Sequence, residues 1–159
     1  MPNHDDHGDH GDHEERGTID LTPAQQAVVA DIAAGLAGGA PAGWLRLVSR
    51  QECSTAAGSA GVAGAQVVVL ATADGLVQDH LGTPSRLYFT IDDLLEELAD
   101  ASPTGGATLE LVVDRDGTYE HRVLADAGRA LDGDRSELRT VYDYLDAHRA
   151  ELEELAARG

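Results

Sequence analysis

Four histidines stand at every third position near the start of the chain: His4, His7, His10 and His13. Aspartate and glycine fill most of the positions between them. Imidazole and carboxylate donors in a flexible segment suit Ni(II), Cu(II) or Zn(II). The sequence therefore predicts either a metal-binding tail, used for metal storage or delivery, or an acidic, solvated extension that keeps the protein soluble.

The start of the chain gives this metal hypothesis a definite geometry. If Met1 is removed, as is usual before a small residue, the chain begins Pro2-Asn3-His4. The free amine, the amides of Asn3 and His4, and the His4 imidazole then form a square-planar set of nitrogen donors for Cu(II) or Ni(II).

The remaining histidines and the single cysteine match no zinc motif, since neither HExxH nor CxxC is present. We expect His80 and His148 on the surface. His121 is expected inside the core, opposite Leu111, and Cys53 is expected to be a small buried thiol rather than a reactive one.

No catalytic signature stands out. Residues 57–61 (AGSAG) differ from the G-x-S-x-G motif at its first glycine and follow no strong strand. Residues 114–117 (DRDG) lack the spacing of a calcium loop. The chain has no lysine, which excludes Schiff-base chemistry and a P-loop lysine. We therefore predict that the protein is not an enzyme.

The charge predicts a basic partner. The chain has 29 acidic residues and 11 arginines, a net charge of −18. When the six acidic residues and Arg16 of residues 1–17 are set aside, 23 acidic residues and ten arginines remain, a net charge of −13. Such a field repels nucleic acid and attracts a basic protein.

The expected location is the cytoplasm. The N-terminus lacks the basic and then apolar order of a secretory signal, and no apolar run approaches the ~20 residues of a membrane span. A lone cysteine allows no intrachain disulfide and suits a reducing compartment.

The chain divides into a tail and one folded unit. Residues 1–17 have no apolar residue after Met1 and Pro2, so we expect a disordered His/Asp/Gly-rich tail. Residues 18–159 are expected to form a single α+β domain. Its first helix begins at Pro23, with Thr22 as N-cap and Gln25 completing a capping box.

Strands and a second helix follow. The pattern predicts strands at 44–50 and 66–73, a loose loop at 54–64, and a hairpin turn at Asp74-Gly75. A second helix is expected to start at Thr90, with Phe89 and Leu94 as a hydrophobic staple. The paired acids at 92–93 and 96–97 are expected to lie on its solvated face.

The next hairpin has a predictable register. A three-residue loop at 115–117 places Gly117 at the left-handed position that such loops need. Val113 then faces Tyr119, and Glu110 faces Arg122 in a pair of opposite charges.

A long final helix is expected to begin with a capping box of Asp134 and Glu137. Its apolar seam is predicted either to pack on the domain or to form a homodimer, because it runs close to heptad spacing. The seam consists of Leu138, Val141, Tyr142, Leu145, Leu152 and Leu155. The predicted order is α-β-β-α-β-β-α, an antiparallel sheet of hairpin-connected strands with three helices.

From about residue 21 to 125 this order resembles the YezG-like bacterial immunity proteins. The resemblance rests on Pro41 and Trp44 before the first strand, the stretch from Arg86 to Leu98, the strand led by Thr108, and the turn at 116–117. It implies an antitoxin that blocks a toxin, often a nuclease, by direct contact. A non-enzymatic acidic binding protein is thus the leading hypothesis, and metal handling by the tail is the alternative.

Overall fold

The computed structural model describes residues 17–55 and 61–159 of the chain. An antiparallel five-stranded sheet, in the order β3-β2-β1-β4-β5, lies at its centre. The helices are α1 (Pro23–Gly38), α2 (Ser85–Ala101), α3 (Arg139–Tyr142), α4 (Tyr144–Ala147) and α5 (Arg149–Ala157). The strands are β1 (Trp44–Ser54), β2 (Gly61–Thr72), β3 (Gly75–His80), β4 (Gly106–Asp114) and β5 (Tyr119–Leu124).

Helices cover both faces of this sheet. On one face α1 and α2 pack against the odd-numbered β1 residues Leu47 and Cys53. On the other face the C-terminal segment, residues 129–157, packs against Val48 of β1 and Val67 of β2. Because neighbouring strand residues point to opposite faces, β1 contributes to two separate hydrophobic cores. The fold is therefore α+β, as predicted.

The local signals near the first helix and the second hairpin are confirmed. The Thr22 hydroxyl accepts from Gln25 N–H, and the Gln25 side chain accepts from Thr22 N–H. Val113 lies opposite Tyr119. Gly117 has φ +90°, the left-handed conformation that its loop requires.

Two strands are longer than predicted. β1 runs beyond Arg50 to Ser54, and β2 begins at Gly61, inside the region expected to be a loose loop. The two strands pair from Ser54 and Gly61 onward, and β1 also pairs with β4 on its other side. The pairing of β1 on both sides satisfies the backbone hydrogen-bonding groups of this region. Alanine and glycine favour strands only weakly, so the sequence did not indicate that the strands extend this far.

The predicted start of α2 is wrong. The helix begins at Ser85, immediately after Pro84, rather than at Thr90. Its extra first turn buries Leu87 against Gly35 of α1. Phe89 consequently points outward, 78% exposed, and does not form a staple.

The predicted long final helix, and with it the predicted count of three helices, is wrong. Three short helices follow one another, and the strand β3 is absent from the predicted order. The observed order is therefore α-β-β-β-α-β-β-α-α-α. Asp134 does not cap a continuous helix with Glu137; its carboxylate accepts from Ser136 N–H in a turn. The breaks let the segment follow the sheet surface while Leu138 and Leu152 stay fully buried.

Cys53 and His121 were both predicted to be buried, and the structure buries Cys53 but not His121. Cys53 is fully buried, as predicted, and burial raises the pKa of its thiol. His121 is exposed instead of lying in the core, because the edge strand β5 is buried only at its C-terminal end, at Val123 and Leu124. Within the described ranges, no helix is both long enough and apolar enough to cross a membrane.

Four of the six residues of the predicted seam are buried inside the protein, whereas Tyr142 is 44% exposed. Leu138, Val141, Leu145 and Leu152 are at most 7% exposed and pack against the sheet of their own chain. These side chains are therefore not free to form a coiled-coil interface with a second copy.

This packing predicts the effect of truncating Leu152. Leu152→Ala should lower the free energy of unfolding by about 2–5 kcal/mol, as for other fully buried leucines. Leu155→Ala, at a half-buried position, should cost clearly less. Denaturant unfolding measures both, and the loss should not depend on protein concentration. A concentration-dependent midpoint would instead indicate that Leu152 is buried between two chains.

Candidate protein-binding surfaces

The outer face of α2 carries carboxylates that are not neutralised. Asp93, Glu96, Glu97 and Asp100 are exposed, and Asp92 is half-buried. Among the residues that the structure describes, none of the five forms an ion pair. Arg86 is the sole basic residue of the helix. The expectation that the acids of α2 form a solvated face is confirmed.

These charges repel one another along the helix. Asp92 and Glu96, Asp93 and Glu97, and Glu96 and Asp100 are each four residues apart, where side chains are neighbours. Each like-charge pair at this spacing destabilises a helix by roughly 0.2–0.5 kcal/mol. The arrangement thus costs stability and offers a strong local field for a cationic surface.

An exposed aromatic pair begins the same helix. Phe89 is 78% exposed and Tyr88 is 54% exposed. Phe89 is the single phenylalanine of the chain, and it lies one turn before Asp92 and Asp93. A large apolar side chain beside unpaired acids has the character of an anchor in an interface, where aromatic residues dominate the binding energy. The exposure of Phe89 was not predicted, because the helix was expected to begin after it.

The acids of the strands β1 and β4 are neutralised, in contrast to those of α2. Arg50, on the central strand, is 5% exposed and donates to Glu52, Glu110 and Glu137. These contacts join β1 to β4 and to the C-terminal segment. Arg122 of β5 adds a second cation on Glu110, at 2.9 Å.

Packing around the Arg50 cluster is close. Glu52 is fully buried, and its Oε2 atom has no hydrogen-bond partner within the described ranges. A Cβ atom at Gly128 would overlap the carboxylates of Glu52 and Glu137. The buried negative charge of Glu52 therefore depends on Arg50, whose Nε lies 3.1 Å from Oε1.

Arg46, four residues before Arg50 on β1, forms a second cluster. Its guanidinium contacts both Asp114 oxygens, at 2.6 and 3.0 Å, and also Glu151 at 2.8 Å. The hydrogen bond with Asp114 is the largest effect raising the pKa of Arg46, and the hydrogen bond from Arg46 lowers the pKa of Glu151. Burial raises the pKa of Tyr144, whose hydroxyl accepts from Arg46 at 3.1 Å.

Two cavities flank these clusters between the sheet and the C-terminal segment. One, of about 420 Å³, is lined by Arg50, Glu110 and Glu137. The other, of about 400 Å³, is lined by Arg46, Glu120 and Glu151. The Tyr144 and His148 rings, stacked with centroids 4.0 Å apart, line both.

The predicted metal ligands His4, His7, His10 and His13 lie outside the described residues. Within residues 17–55 and 61–159, no group of three or more His, Cys, Asp or Glu side chains is arranged to hold a metal ion. His80 is exposed, as predicted, and His148 is half-buried beside Tyr144.

Comparison with known proteins gives no match: no family model, no curated protein and no solved structure is similar to this chain. The resemblance to YezG-like immunity proteins remains a prediction.

Replacing Arg50 and replacing Arg122 should have unequal effects on stability. Arg50→Ala leaves Glu52 buried without its cation and should cost about 3–5 kcal/mol in the free energy of unfolding. Arg122→Ala removes a cation whose side chain is 60% exposed, and should cost at most about 1 kcal/mol. Denaturant unfolding at neutral pH distinguishes them. Equal losses would contradict the structural role assigned to Arg50.

Proposed function

We propose that the protein is a non-enzymatic binding protein whose acidic α2 face engages a basic protein. The observation that carries this proposal is the position of Phe89, exposed among carboxylates without ion-pair partners. Unpaired like charges lower the stability of the free protein, and an exposed aromatic ring lowers its solubility. A partner with a cationic rim around an apolar pocket neutralises the charges and covers the ring.

The concrete form of this proposal is an immunity protein that neutralises a basic toxin, for example a nuclease, by direct contact. An acidic surface can occupy the cleft in which a nuclease binds phosphates, and the long-range field accelerates the encounter. The net charge of −13 on residues 18–159 supports this form. Blocking a cleft requires no catalytic group on the blocking protein.

Differential capture with matched variants tests the proposal. Full-length wild type, Phe89→Ala and the double variant Asp93→Asn/Glu96→Gln are immobilised and exposed to lysate at several salt concentrations. A specific partner should bind wild type. Its affinity for Phe89→Ala should be weaker by about 2 kcal/mol, roughly thirtyfold. The double variant should associate with the partner more slowly, and its association rate should depend less on salt concentration.

A charge-matched control makes this test specific. Asp74→Asn/Glu153→Gln removes the same number of charges from exposed positions away from α2. It should bind the partner as tightly as wild type does. A partner that binds Phe89→Ala and wild type equally, or that responds to both double variants alike, would show that the α2 face is not the interface.

The second candidate function is metal storage or delivery by the tail, favoured by the spacing of His4, His7, His10 and His13. Calorimetric titration with Ni(II) or Cu(II) alone should show binding to the full chain. Replacing the four histidines by alanine should abolish it, whereas His80→Ala should leave it unchanged. Retained binding after the fourfold replacement would place the metal elsewhere.

A further inference from the structure

One edge of the sheet has backbone groups that are open for pairing. β5 is the outermost strand beside β4. Ala125 N–H donates outward to Gly17 O at 2.8 Å, and Val123 O accepts from Ile19 N–H at 2.9 Å. Backbone groups alternate sides along a strand, so Tyr119 and His121 also direct theirs outward. No strand in the described part of the chain pairs with these two residues.

This edge already accepts an extended segment at one end. Thr18 forms an antiparallel bridge with Leu124. The chain then leaves the edge after Ile19 and begins α1 at Pro23. All side chains from Tyr119 to Arg122 are exposed, so the rest of the edge is uncovered.

The side chains beside the edge specify the chemistry of a pairing segment. On one face, Tyr119 and His121 present two rings with centroids 6.4 Å apart, which suit apolar or aromatic neighbours on an added strand. On the other face lies Glu120, whose carboxylate forms no hydrogen bond or ion pair with any described residue. Arg122 on the same face is paired with Glu110. Glu120 lines the cavity of about 400 Å³, in which Arg46 is paired with Asp114 and Glu151 but not with Glu120.

We propose that the open edge of β5 binds an extended basic segment of a partner protein by strand addition. The segment alternates cationic residues, placed opposite Glu120, with apolar residues opposite Tyr119 and His121. Pairing of β5 with a second copy of this chain is disfavoured because each copy has a net charge of −18. This inference goes beyond the proposed function: the site lies on an edge of the sheet and does not involve Phe89.

The probe for this proposal is a capped peptide of alternating lysine and valine, with a glutamate-valine peptide as its counterpart. Each is added to the isotope-labelled full chain, and amide shifts and hydrogen exchange are measured. The lysine peptide should shift and protect the amides of Tyr119 and His121. The amides of Glu120 and Arg122, which face β4, should change little. The glutamate peptide should have no effect.

Proline variants on the two sheet edges provide a matched comparison. His121→Pro removes an outward N–H, a change that an edge strand tolerates, and should weaken peptide binding by about tenfold or more. His80→Pro makes the corresponding change at the β3 edge, where His80 N–H donates only to the Asp79 side chain. Its peptide affinity should equal that of wild type.

A charge variant keeps the test decisive if a proline variant fails to fold. Glu120→Lys leaves the backbone of β5 unchanged and should abolish binding of the lysine peptide. Undiminished binding by Glu120→Lys or by folded His121→Pro would overturn the proposal, as would self-association of the chain through β5. Phe89→Ala should bind the peptide normally, so failure here and failure of the α2 interface are distinguishable.

Discussion

Two arginines on the central strand hold the C-terminal segment of this protein on the sheet. Arg46 and Arg50 lie on the same face of β1 and each reaches a β4 carboxylate and a side chain of the C-terminal segment. A buried guanidinium must have its donors satisfied, because losing a partner in a low-dielectric environment is costly. The arginines therefore fix where the C-terminal segment lies on the sheet.

The distribution of paired and unpaired acids follows from this constraint. Carboxylates that approach the sheet, such as Glu52 and Asp114, are bound to the two arginines of β1. On α2, which directs its polar face to solvent, the acids have no cations within the described residues. Burial explains the pairing of the first group. In the second group, Glu97 accepts a hydrogen bond from Gln25 of α1. The charge of this group has no cation in the described part of the domain, and the proposed function assigns it to a partner.

Local signals made part of the fold predictable from the sequence. The capping box at Thr22 and the loop ending in Gly117 act within a few residues, so both were predicted correctly. The first turn of α2 depends on Leu87 meeting Gly35, a contact that no local pattern shows. The exposed position of Phe89 was missed for the same reason, although Pro84 is a signal that could have indicated the earlier start.

The C-terminal helices and the arginine clusters also depend on contacts between residues that are far apart in the sequence. The spacing of leucines in residues 138–155 fits one long helix, but contact with a twisted sheet selects three short ones. No local pattern indicates that Arg46 and Arg50 are buried, because their burial depends on a segment about ninety residues later in the chain.

The two proposed surfaces constrain how one partner could use both. α2 covers one face of the sheet, whereas the cavity beside Glu120 opens on the other, so a single flat interface cannot reach both. A partner would need a folded basic surface for α2 and an extended arm for β5, and tethering would then raise the effective concentration of the second contact. The unpaired acids of α2 act at long range and govern association, which salt screens. Backbone pairing along β5 acts only at contact, so it governs dissociation.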